Sequence, residues 1–150
     1  MTDARAAQVR VYRAELPVRF THCDPAGIVF YPRYFEMFND LVEDWCREGL
    51  HFPFPEIINR RGWGLPTVRL EVDFVASSTF GEVLTAQLVV RTVGKSSIGI
   101  EIVLAGQKED TRVRGRVVLV LTDRRTGKAI PLPDELRSKI LEFKHPDATH

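Results

Sequence analysis

No uninterrupted apolar stretch in this chain of 150 residues approaches the roughly 20 residues that a membrane-spanning helix requires. No membrane partner is therefore expected. The stretch MTDARAAQVR lacks the apolar core of a secretory leader, which makes cytoplasmic residence the expectation. Cysteine is scarce: only two occur, Cys23 and Cys46, without the paired spacing of a zinc site, and both are expected to be reduced thiols. An excess of one charge is missing as well. The 21 basic and 20 acidic residues leave a net charge of +1, spread along the chain, which argues against a protein built to neutralise nucleic-acid phosphates. Any anion site must be local. No internal repeat or low-complexity segment is apparent. What is present, 44% hydrophobic and 27% charged residues, suits one globular domain over 1–150 with a real core and no room for a second domain.

The apolar pattern predicts the elements. From Tyr12 to Phe20 apolar residues alternate with Arg13, Glu15 and Arg19, the period of a strand with one buried face. That strand delivers the chain to the eleven residues HCDPAGIVFYP, from His22 to Pro32. Pro32 suits the first turn of a helix, and Tyr34, Phe38, Leu41 and Trp45 recur at helical spacing up to Gly49, a plausible stop. A Pro/Phe loop follows (HFPFPEI), with one more helical turn before Arg61 and Gly62, and Phe52 and Phe54 are candidates to line a pocket. The second half reads as strands at Thr67 to Phe74, Val83 to Val93, Ser97 to Leu104 and Val113 to Thr122. Their connections are too short for crossover helices, so the sheet is expected to be antiparallel. Asp134 to Phe143 reads as a short helix. A long helix packed on one face of an antiparallel sheet is an α+β domain.

The chemistry concentrates at Asp24. It sits in a Pro/Gly turn that runs straight into the long helix, whose N-terminus carries unpaired N–H groups and a partial positive charge. Pro32 cannot donate, so the N–H of Tyr31, or of a residue just before it, is the candidate donor to a polarised carbonyl. The Asp24 carboxylate could attack that carbonyl, giving a mixed anhydride, or activate a water as general base. Set against this is plain turn chemistry, in which Asp bonds its own backbone and Pro fixes the next φ. Cys23 has no assigned base, because the His22 side chain would point to the opposite face of a strand, and a buried structural thiol is the simpler account. His22 and Asp24 together make at most half a metal site. Glu36 lies about 200° around the helix from Tyr34 and is expected to face solvent.

The segment HCDPAGIVFYPRY closely resembles the active-site motif of the 4-hydroxybenzoyl-CoA thioesterase family, of the hot-dog fold. The likeness continues through Arg61-Gly62, Leu65-Pro66-Thr67, Gly94-Lys95-Ser96-Ser97 and Ile130-Pro131-Leu132-Pro133, and covers about 15–143. It implies a long central helix wrapped by an antiparallel sheet of about five strands. It also implies Asp24 as the catalytic carboxylate, Tyr31 as the backbone N–H donor, and an active site shared between subunits of a homodimer or homotetramer. Phe54 matches a position bordering the acyl group, Leu65, Pro66 and Thr67 a strand entrance lining the thioester channel, and Lys95 a basic residue near the nucleotide. The ordinary account of the apolar four is core packing. Val93 and Gly94 stand where the best-known member carries arginines, and Lys128, Arg124 and Arg125 are further candidates for the phosphates.

The function implied is hydrolysis of an aromatic or medium-sized acyl-CoA thioester, with coenzyme A arriving as part of the substrate and no separate cofactor or metal. A hot-dog module that binds acyl-CoA or acyl carrier protein without turnover is the alternative. A dehydratase of the same fold is a third reading; it would use His22 as base, yet the sequence does not place the helix-borne acid as such enzymes do.

Overall fold

In the computed structural model, residues 9–146 are described. The first strand, β1 (Tyr12–Pro17), buries Tyr12, Ala14 and Leu16 partly on one face and exposes Arg13 and Glu15 on the other. It ends three residues before the predicted limit. Beyond Pro17 the chain tightens into a single 3-10 turn, Phe20–His22, because the His22 ring accepts the Arg19 N–H at 2.9 Å and closes the turn. The long helix α1 (Arg33–Glu48) follows, with Pro32 at its N-cap. Its buried residues, Tyr34, Met37, Phe38, Leu41, Val42, Trp45 and Cys46, recur three and four apart and form one stripe against the sheet. A π-helical turn, Pro55–Arg60, occupies the Pro/Phe loop.

The sheet is assembled from β1, β3 (Thr67–Phe74), β4 (Val83–Val93), β5 (Ser97–Ala105) and β6 (Thr111–Val120), in the order β1-β4-β5-β6-β3. Every neighbouring pair is antiparallel, as the short connections require. Two two-residue strands, β2 (Trp63–Gly64) and β7 (Thr122–Asp123), pair with each other; they are too short for a period to show in the sequence. The helix α2 (Asp134–Leu141) closes the chain. Near it the Arg10 guanidinium stacks over the Phe143 ring, 4.5 Å from the centroid.

The core lies between α1 and the inner face of the sheet: Leu84, Ala86, Leu88 and Val90 of β4, Ile98, Ile100, Ile102 and Leu104 of β5, and Val113, Val117 and Leu119 of β6 meet the helical stripe. Gly115 interrupts that series on β6. A Cβ there would lie 2.6 Å from Cε2 of Phe38, so the missing side chain is what lets α1 seat on the sheet. This is the expected α+β arrangement, a helix wrapped by a five-stranded antiparallel sheet.

One edge of the sheet is bare. Among the described residues β3 pairs only with β6, and Val68, Leu70 and Phe74 are exposed along it, continued by Val75. A long apolar edge strand is a template for pairing with another chain.

Candidate active site

The segment between β1 and α1 folds as a miniature hairpin around Asp24. Cys23 bridges Val29, the Asp24 N–H donates to the Ile28 carbonyl at 3.0 Å, and the Gly27 N–H donates back to the Asp24 carbonyl at 2.9 Å. Gly27 has φ of +83°, a conformation open to glycine at little cost. One carboxylate oxygen of Asp24 accepts the Ala26 N–H at 2.9 Å, so the plain turn contact is present. The other oxygen makes no hydrogen bond or ion pair among the described residues. The turn contact thus engages one oxygen and leaves the other without a protein partner among the described residues.

At the start of α1 the backbone donors are used in order. Arg33, Tyr34 and Phe35 donate to the carbonyls of Phe30, Tyr31 and Pro32, and Phe30 donates to His22. The N–H of Tyr31 falls between them, and no protein acceptor takes it among the described residues. With Pro32 next in the chain, it is a free donor at the electropositive end of the helix. The Tyr31 side chain is 57% exposed and packs edge-on against Phe30, Phe35 and Phe74 at 5.6, 6.4 and 5.9 Å between centroids.

A groove of about 520 Å³ opens between α1 and the bare edge of the sheet. Phe54, Leu65, Pro66 and Thr67 all line it, with Phe35, Phe38, Val42, Leu70, Val117 and Leu119. These four candidates are therefore gathered in one place. Asn39 and Glu43 line it as well. Glu43 is expected from the sequence to belong with Glu36, Asp40 and Asp44 to a solvated charged face, and Asn39 is not singled out at all, although Phe35, Asn39 and Glu43 stand four apart on one helical face, the signal that could have found them. Asp24 and Tyr31 do not line this groove within the single chain. Phe52, the other aromatic of the Pro/Phe loop, belongs to the core.

Lys95 lies apart from the groove, in the turn between β4 and β5. Its carbonyl accepts the Leu132 N–H, and its ammonium has no ion pair among the described residues. On a neighbouring surface Arg61, Trp63, Asp123, Arg124, Arg125 and Ile130 line a second cleft of about 610 Å³. Arg61 is committed there, paired with Glu56 at 2.9 Å and Glu135 at 3.1 Å and stacked on Trp63 at 5.0 Å. Arg124 and Arg125 are the exposed cations; Lys128 is not part of the lining.

Other candidates fare less well. Cys23 is half-buried, not fully buried as expected, because its sulfur reaches outward to the Arg19 carbonyl at 3.7 Å. Cys46 is enclosed, and burial pushes its thiol pKa up to about 12, which removes it as a nucleophile. Burial lowers the His22 pKa, aided by the cations of Arg19 and Arg33, while one ring nitrogen is occupied by the Arg19 N–H. Glu36 faces solvent, paired with Arg33 at 3.0 Å. No group of three or more His, Cys, Asp or Glu side chains fit to hold a metal occurs among the described residues.

A long helix laid along a five-stranded antiparallel sheet is the hot-dog arrangement. The chain belongs to the thioesterase-like superfamily, whose family model matches residues 18–140. It is 25% identical over 137 residues to 1,4-dihydroxy-2-naphthoyl-CoA hydrolase of Synechocystis sp., covering 88% of this chain and 96% of that one. Among solved structures it resembles a gentisyl-coenzyme A thioesterase (26% identity, 88% and 99% of the two chains, TM-score 0.75). It also resembles a Staphylococcus aureus protein solved in complex with CoA (14% identity, 96% and 92%, TM-score 0.85); that likeness is one of fold.

Proposed function

We propose that this chain hydrolyses the thioester of an aromatic or medium-sized acyl-CoA, with Asp24 as the reacting carboxylate and the Tyr31 N–H as the donor to the carbonyl oxygen. The observation that carries this reading is the unclaimed Tyr31 N–H at the start of α1, close in the chain to a carboxylate with one unpaired oxygen. A preorganised donor of this kind stabilises the oxyanion that develops when the thioester carbonyl is attacked. The turn HCDPAGIVFYP favours the 4-hydroxybenzoyl-CoA thioesterase branch, and the aryl-CoA relatives support an aromatic acyl group. Two routes fit. Asp24 attacks the carbonyl carbon, CoA leaves as its thiolate, and water then cleaves the acyl-aspartyl anhydride to acid and carboxylate. Alternatively Asp24 takes a proton from a water that attacks directly, and CoA leaves from the tetrahedral adduct.

The working unit of this proposal is a homodimer joined along β3. An antiparallel pairing of β3 with its copy brings the Phe74 end of one chain alongside the Thr67 end of the partner subunit's strand. The Asp24 and Tyr31 end of one chain then meets the groove lined by Phe54, Leu65, Pro66 and Thr67 in the other. That explains why neither catalytic candidate lines the groove of its own chain. The hydroxyl groups of an aryl acyl group would find Asn39 and Glu43 along α1, and the CoA phosphates would find Lys95 with Arg124 and Arg125. A cytoplasmic setting suits a CoA substrate.

The test is thiol release across benzoyl, hydroxybenzoyl, phenylacetyl and straight-chain CoA thioesters, by wild type and by Asp24→Asn. The variant is expected to stay folded and to lose about 10²–10⁴-fold in kcat; unchanged turnover would remove Asp24 from the mechanism. A single turnover in ¹⁸O-water tests the anhydride route: label in the Asp24 side chain reports water attack on the aspartyl carbonyl of the anhydride, which the direct route cannot give. Tight acyl-CoA binding without thiol release would point instead to a non-catalytic module.

A further inference from the structure

We infer that Arg112 is a positioning residue for the Asp24 turn, acting through the segment Ser77 to Thr79 that the turn is stitched to. This inference rests on the proposed hydrolysis. Arg112, on β6, keeps only 14% of its side chain exposed and spends its donors on five acceptors. Its Nε donates to Asp110 at 2.7 Å, and its Nη2 meets Glu82 at 2.9 Å. The Nη1 group lies 3.1 Å from the Ser77 carbonyl, the Ser78 hydroxyl and the second Glu82 oxygen. Glu82 in turn accepts the N–H and the hydroxyl of Thr79 at 2.8 and 3.0 Å.

The clamped segment is the wall on which the catalytic turn rests. Ser78 is fully buried, and its carbonyl accepts the Val29 N–H at 3.0 Å. Thr79 bridges Ile28. Ile28 and Val29 form the return leg of the hairpin whose other leg is Cys23 and Asp24. The path from Arg112 to the carboxylate therefore runs through the Ser78 hydroxyl, the Ser78 carbonyl, the Val29 N–H and the hairpin itself. The Tyr34 hydroxyl, on the first turn of α1, is buried without a hydrogen-bond partner among the described residues; burial raises its pKa, and the nearby Ser78 and Arg112 oppose that rise. The polar cluster thus adjoins the helix start as well as the turn. A planar guanidinium can serve several fixed acceptors at once, which the point charge of lysine cannot do.

Arg112 lines neither the groove nor the cationic cleft, and the groove residues Val117 and Leu119 lie five and seven positions further along β6, so loss of Arg112 should leave substrate binding largely alone and misplace the carboxylate. Arg112→Lys is expected to lower kcat at least tenfold while KM for a turned-over acyl-CoA stays within threefold. The decisive measurement is the pair with Asp24→Asn. Residues acting through one group are non-additive, so Arg112→Lys should remove no more than twofold from the residual rate of Asp24→Asn. Wild-type kcat in Arg112→Lys, or a tenfold further loss in the double variant, would overturn the inference. Should Arg112→Lys fail to fold, Glu82→Gln, which loosens the same clamp, is subject to the same two criteria. A wild type without thiol release, or an Asp24→Asn variant with full turnover, sinks the proposed function and this inference with it. An Arg112 result that fails beside a catalytically dead Asp24→Asn sinks the inference alone.

Discussion

Replacing Gly115 by alanine tests how the helix is seated on the sheet. The added methyl would stand 2.6 and 2.8 Å from two ring carbons of Phe38, short of ordinary contact by about 0.8 Å at the closer one. Phe38 is 3% exposed and leans on Phe35 at 6.5 Å between centroids, while Gly115 is paired on both sides, to Val72 of β3 and Ile102 of β5. Neither partner can retreat freely. Overpacking of this kind costs about 1–3 kcal/mol, and about 2 kcal/mol in a chain of this length lowers Tm by roughly 4–8 °C. The assay is calorimetric melting at fixed protein concentration, because association contributes to Tm. Phe38→Leu removes the clashing ring atoms, so Gly115→Ala should cost markedly less in that background, a coupling of about 1 kcal/mol or more. Phe38 also lines the groove, so a displaced ring should raise KM for an aryl-CoA more than for a short acyl-CoA. A Tm within about 1 °C of wild type, or strict additivity with Phe38→Leu, would refute the reasoning.

Two further outcomes are expected. Arg112 and the Thr79 donors hold the Glu82 carboxyl down at about 2 from its ordinary 4.5, so the folded state binds its proton less readily than the unfolded chain. The stability this supplies is complete above about pH 4.5 and is lost as pH falls through about 2; allowing for solvent at a carboxylate that is 31% exposed, it amounts to about 1–2 kcal/mol. Acid unfolding of Glu82→Gln followed by circular dichroism should lack that component, and an unchanged pH slope between 5 and 2 would contradict it. Val68→Lys places a charge on the bare edge strand and should give a monomer by sedimentation equilibrium with turnover lost, since lysine blocks edge pairing; a monomer of undiminished activity would show that the site does not need a second chain.

Most of the architecture was legible because its signals are local. The alternation of Val68, Leu70, Val72 and Phe74 marked β3 to the residue, and the three-and-four spacing of Tyr34, Phe38, Leu41 and Trp45 marked α1. The end of β1 was not legible, since Val18 and Phe20 continue the alternation while a side-chain contact from His22 turns the backbone away. At the site, the turn around Asp24 carries its own sequence signature. Asn39 was missed, and Glu43 was assigned to a solvated face, because polar residues on a helix read that way until β3 and the Pro/Phe loop form a wall opposite. The Arg112 cluster was invisible for a related reason: apart from Asp110, its acceptors come from the single β3–β4 loop, 30 to 35 residues away in the chain, and only sheet closure brings them to the guanidinium.

Tyr31 has two unrelated tasks on the proposed reading, divided between its main chain and its ring. The amide lies free for a substrate, while the ring joins Phe74 at the edge strand. Alanine scanning would therefore misreport this residue. Truncation leaves the amide in place and removes only the aromatic contact, so a defect in Tyr31→Ala would register assembly; the amide itself answers only to backbone chemistry, such as an ester substituted for that peptide bond.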